Sequence, residues 1–165
     1  MRTLKIKPLT AEAFRPFGDV IEIGNNQSQP MNRGMAERFD ALGRVELQGE
    51  QARAVISLVR SSQYPVPHTV DLVERHPLGS QAFIPLEDSP FVVVVAPAGE
   101  SVTSDALKAF RTNGRQGVNY RSGVWHGLLF TPFAAMTFIC VDRAGEGSNC
   151  EERSFPPGQQ VLLDP

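Results

Sequence analysis

Proline and glycine interrupt this chain before any apolar run outgrows a single strand. There are 13 prolines and 14 glycines among 165 residues. Proline removes a backbone donor and fixes φ, so neither a helix interior nor a central ladder passes through it easily. Glycine, and pairs such as Asn113-Gly114, favour chain reversal. The longest apolar stretch, Phe91-Val92-Val93-Val94-Val95-Ala96, is strand-sized and falls far short of the roughly 20 residues a membrane helix needs. Many short strands separated by frequent turns predict an all-β chain, an antiparallel sandwich or barrel with a few short helical turns. The length fits one domain spanning residues 1–165.

In chain order, Leu4, Ile6 and Pro8 alternate with lysines as a short half-buried strand. Thr10 is placed to cap a helical turn over Ala11-Glu12-Ala13-Phe14. Asp19 to Ile23 reads as a strand, and the polar stretch from Gly24 to Gly34 as a loop. Glu37 to Phe39 and Val45 to Leu47 are weak strand signals. Arg53 to Arg60, apolar and β-branched on both faces, is expected to be a central strand. Strands follow over Val70 to His76, Gln81 to Leu86, Phe91 to Ala96, Ala109 to Thr112 and Ala135 to Val141. Ser104 to Lys108 is expected to form one more helical turn. The tail from Gly145 is polar until a last short strand at Gln160 to Leu163.

Sixteen basic side chains against 18 acidic ones give a net charge of −2. There is no broad basic field for nucleic acid, though a small anionic ligand needs only one or two arginines. With two cysteines and no long apolar leader, Cys140 and Cys150 are expected to be reduced thiols in a cytoplasmic protein.

The chemistry-bearing residues cluster in two stretches, Glu74-Arg75-His76-Pro77-Leu78-Gly79-Ser80-Gln81 and Gly117-Val118-Asn119-Tyr120-Arg121-Ser122-Gly123-Val124-Trp125-His126. Read as strands, Glu74, His76, Gln81 and Phe83 face one way, because side chains alternate with period two. That puts a carboxylate, an imidazole and an amide on one surface, with His126 closing the set from another strand. The third histidine, His68, beside Pro67, reads as an exposed loop residue. Trp125 and Arg75 should point away from the pocket, Trp125 into core or interface. Tyr120 is a candidate to line the pocket, and Arg60 a candidate to pair with a ligand carboxylate, as a guanidinium does well. Cys140 reads as core and Cys150 as more exposed.

The pattern Glu74-x-His76-x4-Gln81 followed by Gly123-Val124-Trp125-His126 resembles the two-motif arrangement of the cupin superfamily. Glu74 stands where a first histidine is usual, and Gln81 where a glutamate is usual. A narrower resemblance covers nearly the whole chain. Phe17-Gly18-Asp19-Val20-Ile21, the segment Glu74 to Pro85, Phe91 to Ala96, and Thr112 to Tyr120 with Val124-Trp125-His126 are similar to the ureidoglycolate lyase family, also called ureidoglycolate hydrolase. This resemblance implies a cupin jelly roll, a homodimer, a place in allantoin breakdown, and a divalent metal, nickel in the family. It also implies cleavage of ureidoglycolate to glyoxylate and urea. An amidohydrolase releasing ammonia from the same substrate, and a non-catalytic cupin that binds a small acid, are the alternatives.

Ureidoglycolate is a hemiaminal, so its cleavage needs the hydroxyl proton removed as the C–N bond breaks and the departing nitrogen protonated. His76 and His126 are the natural carriers, with imidazole near 6.5. Glu74 is a base or an orienting group. A divalent ion on Glu74, His76, Gln81 and His126 is the alternative way to acidify the hydroxyl, Gln81 being the weakest ligand. Gln81 also suits a hydrogen bond to the substrate. His126 is expected to matter for chemistry and little for the fold.

Overall fold

The chain forms short strands held between turns, and the computed structural model describes residues 1–165. The strands are β1 (Arg2–Thr3), β2 (Ile6–Pro8), β3 (Gly18–Ile21), β4 (Gln29–Met31) and β5 (Ala36–Arg38). They continue with β6 (Arg53–Ser61), β7 (His68–Val70), β8 (Leu72–Arg75), β9 (Gln81–Pro85), β10 (Val92–Ala96) and β11 (Lys108–Arg111). The last are β12 (Gly117–Tyr120), β13 (Trp125–His126), β14 (Met136–Ala144), β15 (Glu151–Ser154) and β16 (Val161–Leu163). The one α-helical turn, α1 (Ala11–Phe14), starts where expected: the Thr10 hydroxyl accepts from the Ala13 amide. A 3-10 turn covers Ser104–Ala106.

Two large sheets face each other. One has the order β15-β8-β13-β10-β11-β2 and the other β3-β12-β9-β14-β6. A smaller sheet, β1-β16-β7, and the hairpin β4-β5 complete the set. Pairing is antiparallel except at β2–β11 and β1–β16. The chain passes repeatedly from one large sheet to the other, as in a jelly roll.

The valine run explains the layering. Val93 and Val95 point into a core between the two large sheets, against Phe83, Val118 and Phe138. Val92 and Val94 point the other way, into a second core with Trp125, Phe130, Val161 and Leu163. A fully buried valine contributes about 1.5–3 kcal/mol over an exposed one, so a run apolar on both faces must be covered twice. Here one chain supplies both covers. At the start of β3, Gly18 has φ +152°, and an added Cβ would lie 1.8 Å from the Asn119 carbonyl oxygen. Only glycine lets β3 approach β12 this closely.

Several expectations are corrected. β6 is an edge strand, not a central one, and Ile56 and Leu58 on it are 78% and 69% exposed. The stretch Gly24 to Gly34 contains β4 and a 3-10 turn at Asn32–Gly34. Val45 to Leu47 forms no strand; only a single bridge joins Leu47 to Gly79. The polar tail supplies β15, exposed along its length, which pairs with β8. His68 lies in β7 and packs against Phe130 and Tyr64, at centroid distances of 5.0 and 5.1 Å. No helix is long and apolar enough to cross a membrane.

Candidate active site

Glu74 and Gln81 lie on different sheets. The turn Pro77-Leu78-Gly79 carries the chain from β8, in the six-stranded sheet, to β9, in the five-stranded one. The expected single surface is therefore two facing rows. In one row His126 on β13 stands directly opposite Glu74 on β8. In the other, Tyr120 on β12 stands opposite Gln81 on β9. Gln81, one step beyond the Ala82–Val141 pair, then reaches Asp142 on β14, Nε2 to Oδ2 at 3.3 Å.

Hydrogen bonds lock the two sequence motifs together. The Gly123 amide donates to the His76 carbonyl at 2.9 Å, and the Ser122 hydroxyl to the Pro77 carbonyl at 3.0 Å. The rings of His76 and His126 lie 5.2 Å apart. Tyr120 bridges the two rows by stacking on His126, with centroids 4.4 Å apart and planes within 3°.

Both imidazole tautomers follow from their partners. His76 Nδ1 lies 2.7 Å from the Asn149 carbonyl oxygen, and His126 Nδ1 lies 3.2 Å from that of Gly127. A carbonyl only accepts, so each Nδ1 carries the proton; the Nε2 of the neutral His126 ring then presents a lone pair, and that of His76 does so when the ring is uncharged. Four buried polar atoms at the site have no hydrogen-bond partner: His76 Nε2, His126 Nε2, Gln81 Oε1 and the Tyr120 hydroxyl. Such atoms are costly unless a ligand completes them.

The electrostatics separate the two histidines. Burial, helped by the nearby His76, lowers His126 to about 4, so its ring is neutral. Burial also works against charge on His76, but Glu74, the Asn149 carbonyl and Gln81 outweigh it and raise the ring. Glu74 is lowered, first by His76 and further by His126, against the opposing effect of its own burial. Its Oε1 lies 3.6 Å from His76 Nε2, close enough for charge pairing and too far for a good hydrogen bond. Burial and the Glu74 charge push the Tyr120 phenol up, so it keeps its proton. Burial and Asp142 push Cys140 up to about 12, which leaves an inert thiol.

These groups open onto a cleft of about 690 Å³ lined by Glu74, Gln81, Tyr120, His126, Cys140 and Asp142, with Arg60 also on its wall. His76 is not part of the lining; it sits against Glu74. Arg60 is at the mouth: its β-partner is Thr137, five residues along β14 from Asp142, and it is exposed. The structure thus brings Glu74, His76, Gln81, Tyr120 and His126 together and leaves Arg60 outside the cluster. Trp125 is buried in the second core, donating to the Gly99 carbonyl at 2.9 Å, with Arg75 over its ring. His126 is only 2% exposed, so it belongs to the packing as well as to the cleft. Nothing in the sequence singles out Asp142 or Asn149: both become visible only through cross-strand register and a long-range bond.

The donor set fits a divalent ion. Glu74, His76 and His126 each offer a ligand atom, all within 4.8 Å of one another. Both histidines donate Nδ1–H to a backbone carbonyl, the arrangement that fixes imidazole ligands at metal sites.

The ureidoglycolate lyase family model matches residues 1–162. A ureidoglycolate lyase of Pseudomonas entomophila (strain L48) is 50% identical over 165 residues, covering 100% of this chain and 99% of the relative. One of Pseudomonas putida (strain W619) is 50% identical with the same coverage. One of Pseudomonas aeruginosa (strain LESB58) is 49% identical, over 100% of this chain and 98% of the relative. Full-length agreement at this level, on a β-sandwich whose cleft gathers the residues of both motifs, places the chain in the ureidoglycolate lyase family.

Proposed function

We propose that this chain is a cytoplasmic carbon–nitrogen lyase that cleaves ureidoglycolate to glyoxylate and urea. The observation that carries the reading is a set of three unpartnered buried atoms, His126 Nε2, Gln81 Oε1 and the Tyr120 hydroxyl, gathered at one cleft, with His76 behind them against Glu74. They offer lone pairs and a hydroxyl donor to a small polar substrate.

The reaction moves one proton within one molecule: it leaves the hydroxyl oxygen, the C–N bond breaks, and it ends on the urea nitrogen. His126 suits this transfer. Its neutral Nε2 accepts the hydroxyl proton, and an imidazolium with a pKa of about 4 gives the proton up readily to the departing nitrogen. Glu74, directly across the strand pair, stabilises that transient cation. His76 lies against Glu74 and keeps it ionised. Tyr120 fixes the His126 ring by stacking and donates its hydroxyl to the substrate.

A second reading rests on the tautomers. A divalent ion, nickel by family resemblance, would be held by His76 Nε2, His126 Nε2 and Glu74, with Gln81 Oε1 as a weaker fourth ligand. When bound, it would supply Lewis acidity to the substrate hydroxyl and counter-charge to the substrate carboxylate. It would also occupy the lone pairs that the first reading uses.

The chain is further proposed to work as a homodimer through the outer face of the five-stranded sheet. Leu58 there stands beside Ile139, itself beside Ile84, and Ile56 stands beside Val141. β6 has a free hydrogen-bonding edge. A two-fold copy can match both the apolar face and that edge with itself.

The decisive experiment uses His126→Gln, which keeps most of the buried volume. It should lower kcat by about 10²-fold or more, with urea and glyoxylate as the wild-type products. Wild-type turnover by a folded His126→Gln protein, or ammonia in place of urea, would sink the proposal.

A further inference from the structure

Asp142 is a carboxylate on the cleft wall with little to satisfy it. Its carboxylate accepts the 3.3 Å contact from Gln81 Nε2 and lies beside the Cys140 thiol, but no arginine, lysine or histidine pairs with it. Its neighbour Arg143 points away, donating to the Gln48 and Glu146 carbonyls. The same contact settles the Gln81 amide. With Nε2 committed to Asp142, Oε1 is the free end: no hydrogen bond reaches it, and it lies toward His76, whose ring it helps to charge. Two acceptors therefore stand side by side on the five-stranded sheet, opposite Glu74 and His126. Acceptors in such a place ask for a ligand with adjacent N–H groups.

We propose that Asp142, together with the Gln81 Oε1 it orients, is the specificity-determining element for the ureido end of the substrate. The inference rests on the proposed activity and extends it by assigning an orientation. The urea nitrogens lie against Asp142 and Gln81, and the hemiaminal hydroxyl lies toward His126. A second carboxylate in place of the ureido group is repelled by Asp142, and a group lacking N–H leaves both acceptors unpaired.

The test compares Asp142→Asn with wild type by steady-state kinetics and by inhibition with each product. The substitution keeps the shape but turns half of the acceptor into a donor. A charged hydrogen bond to substrate corresponds to about 10–100-fold in KM, so KM should rise by that factor with kcat changed less. Inhibition by urea should weaken in parallel while inhibition by glyoxylate stays the same. Equal weakening by both products, or an unchanged KM, overturns the assignment. Asp142→Ser gives the same readout should the amide variant fold poorly. Wild-type protein supplies a third arm that needs no variant: tetramethylurea, which has no N–H, should not compete where urea does, and competition by it counts against the proposal. If wild type shows no turnover, the lyase reading fails. Calorimetric urea binding to wild type and to Asp142→Asn then still decides the role of Asp142.

Discussion

His126 and His76 are neighbours with opposite protonation preferences, and the difference comes from what surrounds each ring. His126 is enclosed by Tyr120 and the core, whereas His76 leans on Glu74. A base must be unprotonated to act, so the rate should be lost as pH falls toward about 4, where His126 gains its proton. An unperturbed imidazole would place that loss near 6.5. The profile should be measured as kcat against pH on protein treated with a strong chelator. Turnover that survives chelation with an acid limb near 4 supports the proton-ferry reading. Turnover abolished by chelation and restored by one divalent ion per chain supports the ion instead. The sequence shows which residue types are available here, since Glu74, His76, Gln81, Tyr120 and His126 all reach the cluster. It does not show their environments. His68 looked like a loop residue beside Pro67 yet sits in β7 against two aromatic rings, because strand membership there depends on β16, some ninety residues away.

Among the elements, β6 and β10 carry the same kind of pattern and end up in opposite places. Both are apolar on both faces. β10 is covered twice by its own chain, while β6 lies at a sheet edge with Ile56 and Leu58 in the open. Local sequence gives the need for cover but not its source, which depends on strand order across the whole chain. The valine run is covered on both faces by its own chain, so the apolar surface left for a partner is the one on β6. Leu58→Arg places a charge in the middle of that face without touching the cleft. It should leave an 18.1 kDa species in sedimentation at micromolar concentration where the wild type sediments as a dimer. A wild-type protein that is already monomeric would remove the basis for this assignment.

Across the molecule, the large-scale architecture was legible: turn density and short apolar runs are enough for a two-sheet β fold. The division of the site was not, because Pro77-Leu78-Gly79 looks the same whether it reverses a hairpin or crosses between sheets. Only long-range pairing settles that. The crossing has a mechanical consequence. Sheets packed face to face lie roughly 10 Å apart, and here the working groups of one face those of the other, with the Tyr120–His126 stack spanning the gap. A ligand gripping Glu74 and His126 on one side and Gln81 and Asp142 on the other acts as a rivet through the sandwich. Its binding energy then resists separation of the sheets as well as holding the ligand. Urea, which reaches only the Gln81–Asp142 side, should raise the melting midpoint less than a non-cleavable ureidoglycolate analogue at equal saturation, in a thermal shift measurement.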